Sequence, residues 1–113
     1  MKKEEILKIM YGYSDDLRAH FGELLEQVIL FGSYARDDYN EESDIDITLL
    51  LNLSEEEIKQ NFDYVAELTS DYNSKYDIDI SPLMKDIKHY RKWLRAYPFY
   101  NNIEKEGVKL YAA

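Results

Sequence analysis

Apolar residues recur at three- and four-residue steps along the start of the chain, a spacing typical of an amphipathic helix. The repeating positions are Ile6, Ile9, Met10, Tyr13, Leu17 and Phe21. This helix is predicted to end near Gly22, because glycine is favoured just past a helix C-terminus. A second helix is predicted behind Ser54, since Ser54 and Glu57 have the spacing of a capping box. Its buried face is expected to hold Ile58, Phe62, Val65, Leu68 and Tyr72.

Three shorter segments have the patterns of strands. Residues 27–31 are mostly apolar and predict a buried strand that leads directly into Gly32. Residues 44–51 and 76–80 alternate apolar and polar side chains, so the acidic residues of each segment share one side. These acidic residues are Asp44 and Asp46 in the first segment, and Asp77 and Asp79 in the second.

The last third of the chain is predicted to be mainly helical. Pro82 is expected to end the strand of residues 76–80 or to place it at a sheet edge. A helix is predicted from about Met84 to Ala96, followed by a short helix over 99–106 that stops at Gly107. Residues 108–111 are expected to form a brief extended tail.

The order of these elements predicts one α+β domain spanning residues 1–113. The expected architecture is a small mixed sheet of three or four strands. Helices pack on one face of this sheet, and a cluster of carboxylates lies on the other. A composition of 45% hydrophobic and 33% charged residues is that of a folded globular domain.

Composition also excludes several classes of site. The chain has no cysteine, which rules out disulfides, cysteine-ligated metal centres and a thiol nucleophile. Its longest wholly apolar run, residues 28–31, is far shorter than the roughly 20 residues of a membrane span, and no signal peptide is evident. A cytoplasmic protein without membrane contact is therefore expected. The net charge of −9 argues against direct binding of nucleic acid, but a small anion could bind where metal ions screen the carboxylates.

The acidic strands predict a site for divalent cations. If the strands of residues 44–51 and 76–80 are neighbours, three or four carboxylates meet in one patch and repel one another. Oxygen ligands without sulfur suit Mg²⁺ or Mn²⁺, and bridging carboxylates suit a pair of ions about 4 Å apart. The alternative is that these are ordinary solvated strand faces of an acidic protein.

Gly32 and Ser33 stand at the end of the first predicted strand. Because glycine lacks Cβ, the backbone at Gly32 can approach a ligand closely. Ser33 offers a hydroxyl and an N–H group to phosphate oxygens. The alternative is an ordinary glycine at a junction between a strand and a turn.

Together these motifs resemble a known family. Gly32-Ser33, followed after ten residues by Asp44-Ile45-Asp46, resembles the signature of the DNA polymerase β-type nucleotidyltransferase superfamily. Residues 30–36, 43–47 and 102–111 are similar to its minimal nucleotidyltransferase branch. Average composition gives the short signature by chance on the order of once in a thousand chains of this length. The resemblance covers nearly the whole chain and implies the nucleotidyltransferase fold.

The resemblance implies a nucleotide-binding role for three motif residues. Gly32 and Ser33 would hold the triphosphate of ATP, and Arg36 would also contact the nucleotide. One residue departs from the family pattern, since Asp37 stands where glycine usually follows the arginine. If this position requires a positive φ, aspartate tolerates it better than most residues, but its charge could weaken nucleotide affinity.

The resemblance also implies a metal site built from carboxylates. Asp44 and Asp46 would bind two Mg²⁺ ions, with Mn²⁺ as a substitute. A third carboxylate, on the next strand, would complete the site and help to deprotonate the attacking hydroxyl. Its position makes Asp79 the candidate, and Asp77 is the alternative.

The activity implied by the resemblance is transfer of AMP from ATP to a hydroxyl group, with pyrophosphate leaving. Larger members of the superfamily hold the acceptor in an added domain, for which no residues are left here, so a partner or a second copy is expected to bring it. Minimal nucleotidyltransferases commonly act as antitoxins that adenylylate a tyrosine of a HEPN-domain ribonuclease toxin. The charge of −9 suits a basic partner of this kind.

Two other functions stay open at this stage. The chain could neutralise a partner by occlusion, as a binding module without catalysis. It could also modify a small molecule, although the lack of a substrate domain counts against that function. The enzyme and the binding module differ in whether neutralisation requires Asp44 and Asp46.

Overall fold

Four strands form one mixed sheet at the centre of the fold. The computed structural model describes all residues from 1 to 113 and orders the strands β3-β2-β1-β4. The strands are β1 (Leu25–Phe31), β2 (Ile45–Leu51), β3 (Ile80–Asp86) and β4 (Val108–Ala112). Strand β1 is antiparallel to both β2 and β4, whereas β2 and β3 are parallel. The predicted α+β class with a small mixed sheet is confirmed.

Six α-helices connect and cover these strands. They are α1 (Lys3–Phe21), α2 (Ser33–Arg36), α3 (Glu55–Lys59), α4 (Phe62–Tyr76), α5 (Ile87–Trp93) and α6 (Pro98–Glu106). Helix α1 ends where the sequence predicts, at Gly22, whose φ of 59° most other residues avoid. None of the helices is both long and apolar enough to cross a membrane.

The main core lies between one face of the sheet and helices α1 and α4. Alternation along β1 and β2 turns a row of apolar side chains toward these helices. The strand residues of this row are Val28, Leu30, Ile45, Ile47, Leu49 and Leu51. Helix α1 contributes the predicted stripe, of which Ile6, Met10, Tyr13, Leu17 and Phe21 are buried and Ile9 is partly buried.

A smaller core lies on the opposite face, beneath helices α5 and α6. Its buried members are Ile29, Leu50, Ile87, Tyr90, Tyr100 and Ile103. The prediction that helices pack on one face therefore holds for α1 and α4, while α5 and α6 occupy part of the second face. The signal for this second core is Leu50, because an apolar residue there interrupts the alternation of β2 and makes both faces apolar at that point.

The third strand lies later in the chain than the sequence predicts. Helix α4 continues to Tyr76, and Asp77 ends it in the left-handed conformation with a φ of 52°. The predicted strand over 76–80 and the predicted helix start at Met84 are therefore wrong. Parallel pairing with β2 over seven residues, from Ile80 to Asp86, outweighs the helical spacing of the apolar residues there. Strand β3 is an edge strand, one of the two positions allowed for Pro82.

The helix predicted behind Ser54 is interrupted by a turn. The capping box is confirmed, since Ser54 N–H donates to the Glu57 carboxylate and Glu57 N–H donates to the Ser54 hydroxyl. Helix α3 then ends at Lys59, and the Asn61 side chain donates to the Glu57 carbonyl group. Helix α4 starts with a new orientation, so Phe62 is 49% exposed instead of buried as predicted.

A buried hydrogen bond between α1 and α4 provides a test of the main core. The hydroxyls of Tyr13 and Thr69 lie 2.8 Å apart, and both residues are buried. We expect Tyr13→Phe to lower the free energy of unfolding by about 1–3 kcal/mol, because the Thr69 hydroxyl loses its partner. Urea denaturation measures this change. The matched control is Tyr11→Phe, at an exposed position of the same helix, with an expected change within about 0.5 kcal/mol. Equal changes in the two variants would contradict the prediction.

Candidate functional site

A cavity of about 460 Å³ opens where β1 ends and β2 begins. Three walls surround it: the turn from β1 into α2, the entry to β2, and one face of α6. The first two walls supply Gly32, Ser33, Arg36, Ser43, Asp44 and Asp46. Five of the residues that the sequence predicts for nucleotide and metal binding thus line one cavity.

Gly32 brings the backbone directly against the Asp46 carboxylate. The preceding residue, Phe31, pairs with Asp46 in the ladder of β1 and β2. Gly32 then turns the chain with a φ of 72° and a ψ of −153°, a conformation almost restricted to glycine. A Cβ atom at this position would collide with the Asp46 side chain. The backbone conformation therefore requires glycine here, and any side chain would in addition force the Asp46 carboxylate to move.

Asp46 is a carboxylate in an unfavourable electrostatic environment. Partial burial raises its pKa, and the negative charge of Asp44 raises it further. The Arg36 guanidinium acts in the opposite direction but is the smallest of the three effects. The charged form of Asp46 is therefore destabilised, and a bound cation would offset this destabilisation.

Asp79 meets the same acidic group from the other side of Asp44. It lies just before β3, where its carbonyl group accepts a hydrogen bond of 2.8 Å from the Ile45 N–H. Hydrogen bonding with the Asp44 side chain raises the pKa of Asp79, and the charge of Asp44 raises it again. Asp44 therefore interacts with both Asp46 and Asp79. No three acidic or histidine side chains are arranged as a ready-made set of metal ligands.

Asp77 and Asp79 line a second cavity, of about 360 Å³. Ser43 lines both cavities, so the two spaces are neighbours near Asp44. Asp77 is exposed and ends α4, whereas Asp79 contacts Asp44. Of the two alternatives for the third carboxylate, Asp79 is the one in contact with the residues of the first cavity.

Arg36 and Asp37 end the short helix α2. The Arg36 side chain lies 3.1 Å from Asp38 and 3.7 Å from Glu106, and these carboxylates raise its pKa. Asp37 has a φ of 63°, so this position does require the positive φ considered above. Its carboxylate pairs with Lys3 at 2.6 Å and does not line the cavity. Lys3 thus offsets the charge of Asp37.

The third wall of the cavity consists of residues that the sequence analysis assigned only to a short helix. They are Phe99, Asn102, Ile103 and Glu106. The last three lie three, four and seven residues after Phe99, so all four share one face of α6. This spacing is visible in the sequence, but only the packing of α6 over Ile29 shows that the face lines a cavity.

The contact between Gly32 and Asp46 can be measured as a coupling free energy. We expect Gly32→Ala to lower the free energy of unfolding by more than the roughly 1–3 kcal/mol of backbone strain, because its Cβ displaces the Asp46 side chain. Combining it with Asp46→Ala should recover at least about 1 kcal/mol of this loss. Denaturant titration of the single and double variants measures the coupling.

Gly22 provides the matched control for this cycle. Its φ is also positive, at 59°, but a Cβ there would meet no atom within 4 Å. Gly22→Ala and Asp46→Ala should therefore be additive within about 0.5 kcal/mol. A coupling of the same size at both glycines would contradict the proposed collision.

The repulsion centred on Asp44 predicts a pH dependence of stability. The folded chain raises the pKa of Asp46 and Asp79 above the ordinary 3.8, so the unfolded chain binds fewer protons between the ordinary and raised values. Stability contributed by these groups is present below 3.8 and is lost as the pH rises through that window. We expect Asp44→Asn to lower both pKa values and to raise the thermal midpoint at pH 7 without added metal.

Carboxyl titration by NMR and thermal unfolding at pH 4 and pH 7 measure these effects. Asp77→Asn serves as the control, because Asp77 is exposed and asparagine also tolerates the left-handed conformation. If Asp44→Asn destabilises the chain at pH 7 and leaves both pKa values raised, the repulsion is not the dominant interaction.

Comparison with known proteins agrees with this geometry. A family model described as "Nucleotidyltransferase domain" matches residues 12–109. A protein of Methanocaldococcus jannaschii named "Putative protein adenylyltransferase MJ0604" is 32% identical over 111 residues, which are 98% of this chain and 100% of the relative.

Solved structures show the same fold. A structure described as "a putative nucleotidyltransferase from Sulfolobus solfataricus" aligns with a TM-score of 0.64 and 21% identity, covering 97% of this chain and 83% of that one. The crystal structure of a toxin–antitoxin with AMP-PNP aligns with a TM-score of 0.58 and 22% identity, covering 91% and 73%. The fold implied by the Gly32-Ser33 and Asp44-Ile45-Asp46 motifs is thereby confirmed. The chain belongs to the nucleotidyltransferase domain family.

Proposed function

We propose that residues 1–113 form a single minimal nucleotidyltransferase domain that acts as an antitoxin in the cytoplasm. In this proposal it transfers AMP from ATP, with Mg²⁺, to a tyrosine hydroxyl of a HEPN ribonuclease toxin. The observation that carries the proposal is the contact of Gly32 with Asp46 in one cavity with Ser33 and Asp44. This contact supports the proposal because the backbone at Gly32 can approach a phosphate beside a pair of carboxylates.

In this proposal one group of residues binds the phosphates and another binds the metal. Gly32 and Ser33 hold the triphosphate through backbone N–H groups and the serine hydroxyl, and Arg36 adds a positive charge at the same wall. Asp44 and Asp46 line the same cavity and supply only oxygen atoms. A hard cation such as Mg²⁺ fits this donor set.

The raised pKa values of Asp46 and Asp79 support the assignment of a metal site. Both shifts arise in part from Asp44, which means that the carboxylates repel one another when no cation lies among them. Asp44, Asp46 and Asp79 would hold the metal. Bound Mg²⁺ would screen the phosphate charge and stabilise the negative charge that develops in the transition state.

The chemical step in this proposal is a direct displacement at the α-phosphorus of ATP. The tyrosine oxygen of the acceptor forms the new bond to phosphorus, and the bond to the bridging oxygen of the β-phosphate breaks, so pyrophosphate leaves. The hydroxyl proton passes to the Asp79 carboxylate. Asp79 is the candidate for this role because its carboxylate meets Asp44 at the edge of the site.

A protein acceptor is supported by the relatives and by charge. The relative from Methanocaldococcus jannaschii is named a protein adenylyltransferase, and one structural neighbour is a toxin–antitoxin with AMP-PNP. The net charge of −9 favours association with a basic, RNA-cutting partner. Adenylylation of a tyrosine near a ribonuclease site would block RNA by size and by charge.

Transfer of label from α-³²P-ATP to the toxin encoded beside this chain tests the proposal. We expect the toxin to be labelled only with Mg²⁺ present. Asp44→Asn or Asp46→Asn should lower the rate at least about a hundredfold, because each removes charge from the site of transfer. Asp79→Asn should also lower it strongly, whereas the control Asp77→Asn should stay within about twofold. An unlabelled toxin with Mg²⁺ and intact Asp44 would reject protein adenylylation.

Ribonuclease assays with the same variants separate catalysis from occlusion. If the chain acts by AMP transfer, the double variant Asp44→Asn with Asp46→Asn should bind the toxin but leave it active against RNA. A double variant that still neutralises the toxin stoichiometrically would instead identify a binding module without catalysis.

A further inference from the structure

Helix α6 forms one wall of the cavity, and the side chains on this wall do not belong to the phosphate or metal motifs. Phe99 and Asn102 lie on this face toward the start of the helix, and Glu106 lies at its end. Glu106 is next to Arg36, at 3.7 Å. Phe99 is seven residues away, which corresponds to about 10 Å along the axis of α6. The cavity therefore extends along α6 from the Arg36 wall to an aromatic end.

Phe99 presents an aromatic ring to this end of the cavity. It is 47% exposed although phenylalanine usually lies in the core. Phe31 contacts it edge to face, with ring centroids 5.8 Å apart and planes at 83°. This contact supports the ring from one side and leaves nearly half of the side chain open to a ligand. A planar, weakly polar group would bury that surface by stacking.

Asn102 places a free amide one turn along α6 from Phe99. The side-chain hydrogen bonds of α6 involve Tyr100 and Glu104, and none involves Asn102. An asparagine amide carries a donor and an acceptor on adjacent atoms. This pair matches the N6 donor and the N7 acceptor of adenine. Guanine presents two acceptors, O6 and N7, on the same edge.

We propose that Phe99 and Asn102 form the base-binding end of the cavity and make it selective for adenine. Phe99 stacks on the base, and the Asn102 amide reads its edge. This inference rests on the proposed function, because it assumes that a nucleoside triphosphate occupies the cavity with its phosphates at Gly32 and Ser33. It adds the base specificity, which the motif of glycine, serine and aspartates does not determine.

Calorimetric titration of the full chain with three ligands tests this inference. The ligands are non-hydrolysable analogues of ATP and GTP and inorganic tripolyphosphate, each with Mg²⁺. We expect the ATP analogue to bind at least about tenfold more tightly than the GTP analogue. Phe99→Ala should weaken both nucleotides about tenfold or more, because a stacking contact is lost, and should leave tripolyphosphate within about twofold.

Variants of Asn102 separate base reading from stacking. Asn102→Ala should bring the affinities for the two nucleotides to within about twofold of each other. Asn102→Asp should weaken the GTP analogue at least as much as the ATP analogue, since a carboxylate only accepts hydrogen bonds and guanine presents two acceptors on this edge. The matched controls are Phe62→Ala, at a phenylalanine of 49% exposure outside this cavity, and Asn101→Ala, at the neighbouring amide. Both controls should leave all affinities unchanged.

The outcomes distinguish this inference from the proposed function. If both nucleotides bind but Phe99→Ala and Asn102→Ala change neither affinity nor preference, the base site is wrong and the nucleotide site stands. The base site is also wrong if tripolyphosphate binds as tightly as the ATP analogue. If the folded chain binds none of the three ligands, the proposed function fails together with the inference.

Discussion

The close approach of Gly32 to Asp46 constrains the rest of the site. The antiparallel ladder sets Phe31 opposite Asp46, so the next residue has to turn away from a carboxylate with no room for a side chain. A turn in this position leads the chain into α2 and keeps Ser33 and Arg36 at the same cavity. Between the Gly-Ser and Asp-x-Asp motifs the chain forms α2 and a loop, and strand pairing then brings the two motifs back together.

The two cores of the sheet explain where the cavity lies. Helices α1 and α4 cover one face completely, whereas α5 and α6 cover the second face only over Ile29 and Leu50. The end of the second face, where Asp44 and Asp46 enter β2, stays open to solvent. Stability comes mainly from the first face, so the second can hold carboxylates that repel one another.

Sequence patterns predict those parts of the fold that depend on local periodicity. The stripe of α1, its end at Gly22, the alternation of β2 and the capping box of Ser54 and Glu57 are all confirmed. The third strand was misplaced because Tyr76 to Ile80 alternates like a strand, while the parallel pairing that creates β3 is a long-range interaction. No local pattern reports such pairing.

The same difference between local patterns and long-range packing applies to the candidate site. Gly32, Ser33, Arg36, Asp44 and Asp46 belong to two short motifs, and strand register brings them into one cavity. The α6 wall could not be recognised in this way, because Phe99 and Asn102 reach the cavity only through the packing of α6 on β1. At Asp37 the motif raises the question of a positive φ, which the structure answers, whereas its pairing with Lys3 depends on tertiary structure alone.

The proximity of the two cavities at Ser43 has a kinetic consequence. Asp44 faces one space and Asp79 the other, yet the two side chains interact. The carboxylate pair therefore borders two separate openings. For the proposed AMP transfer, this arrangement favours a ternary complex and direct displacement over a double displacement through a covalently modified protein.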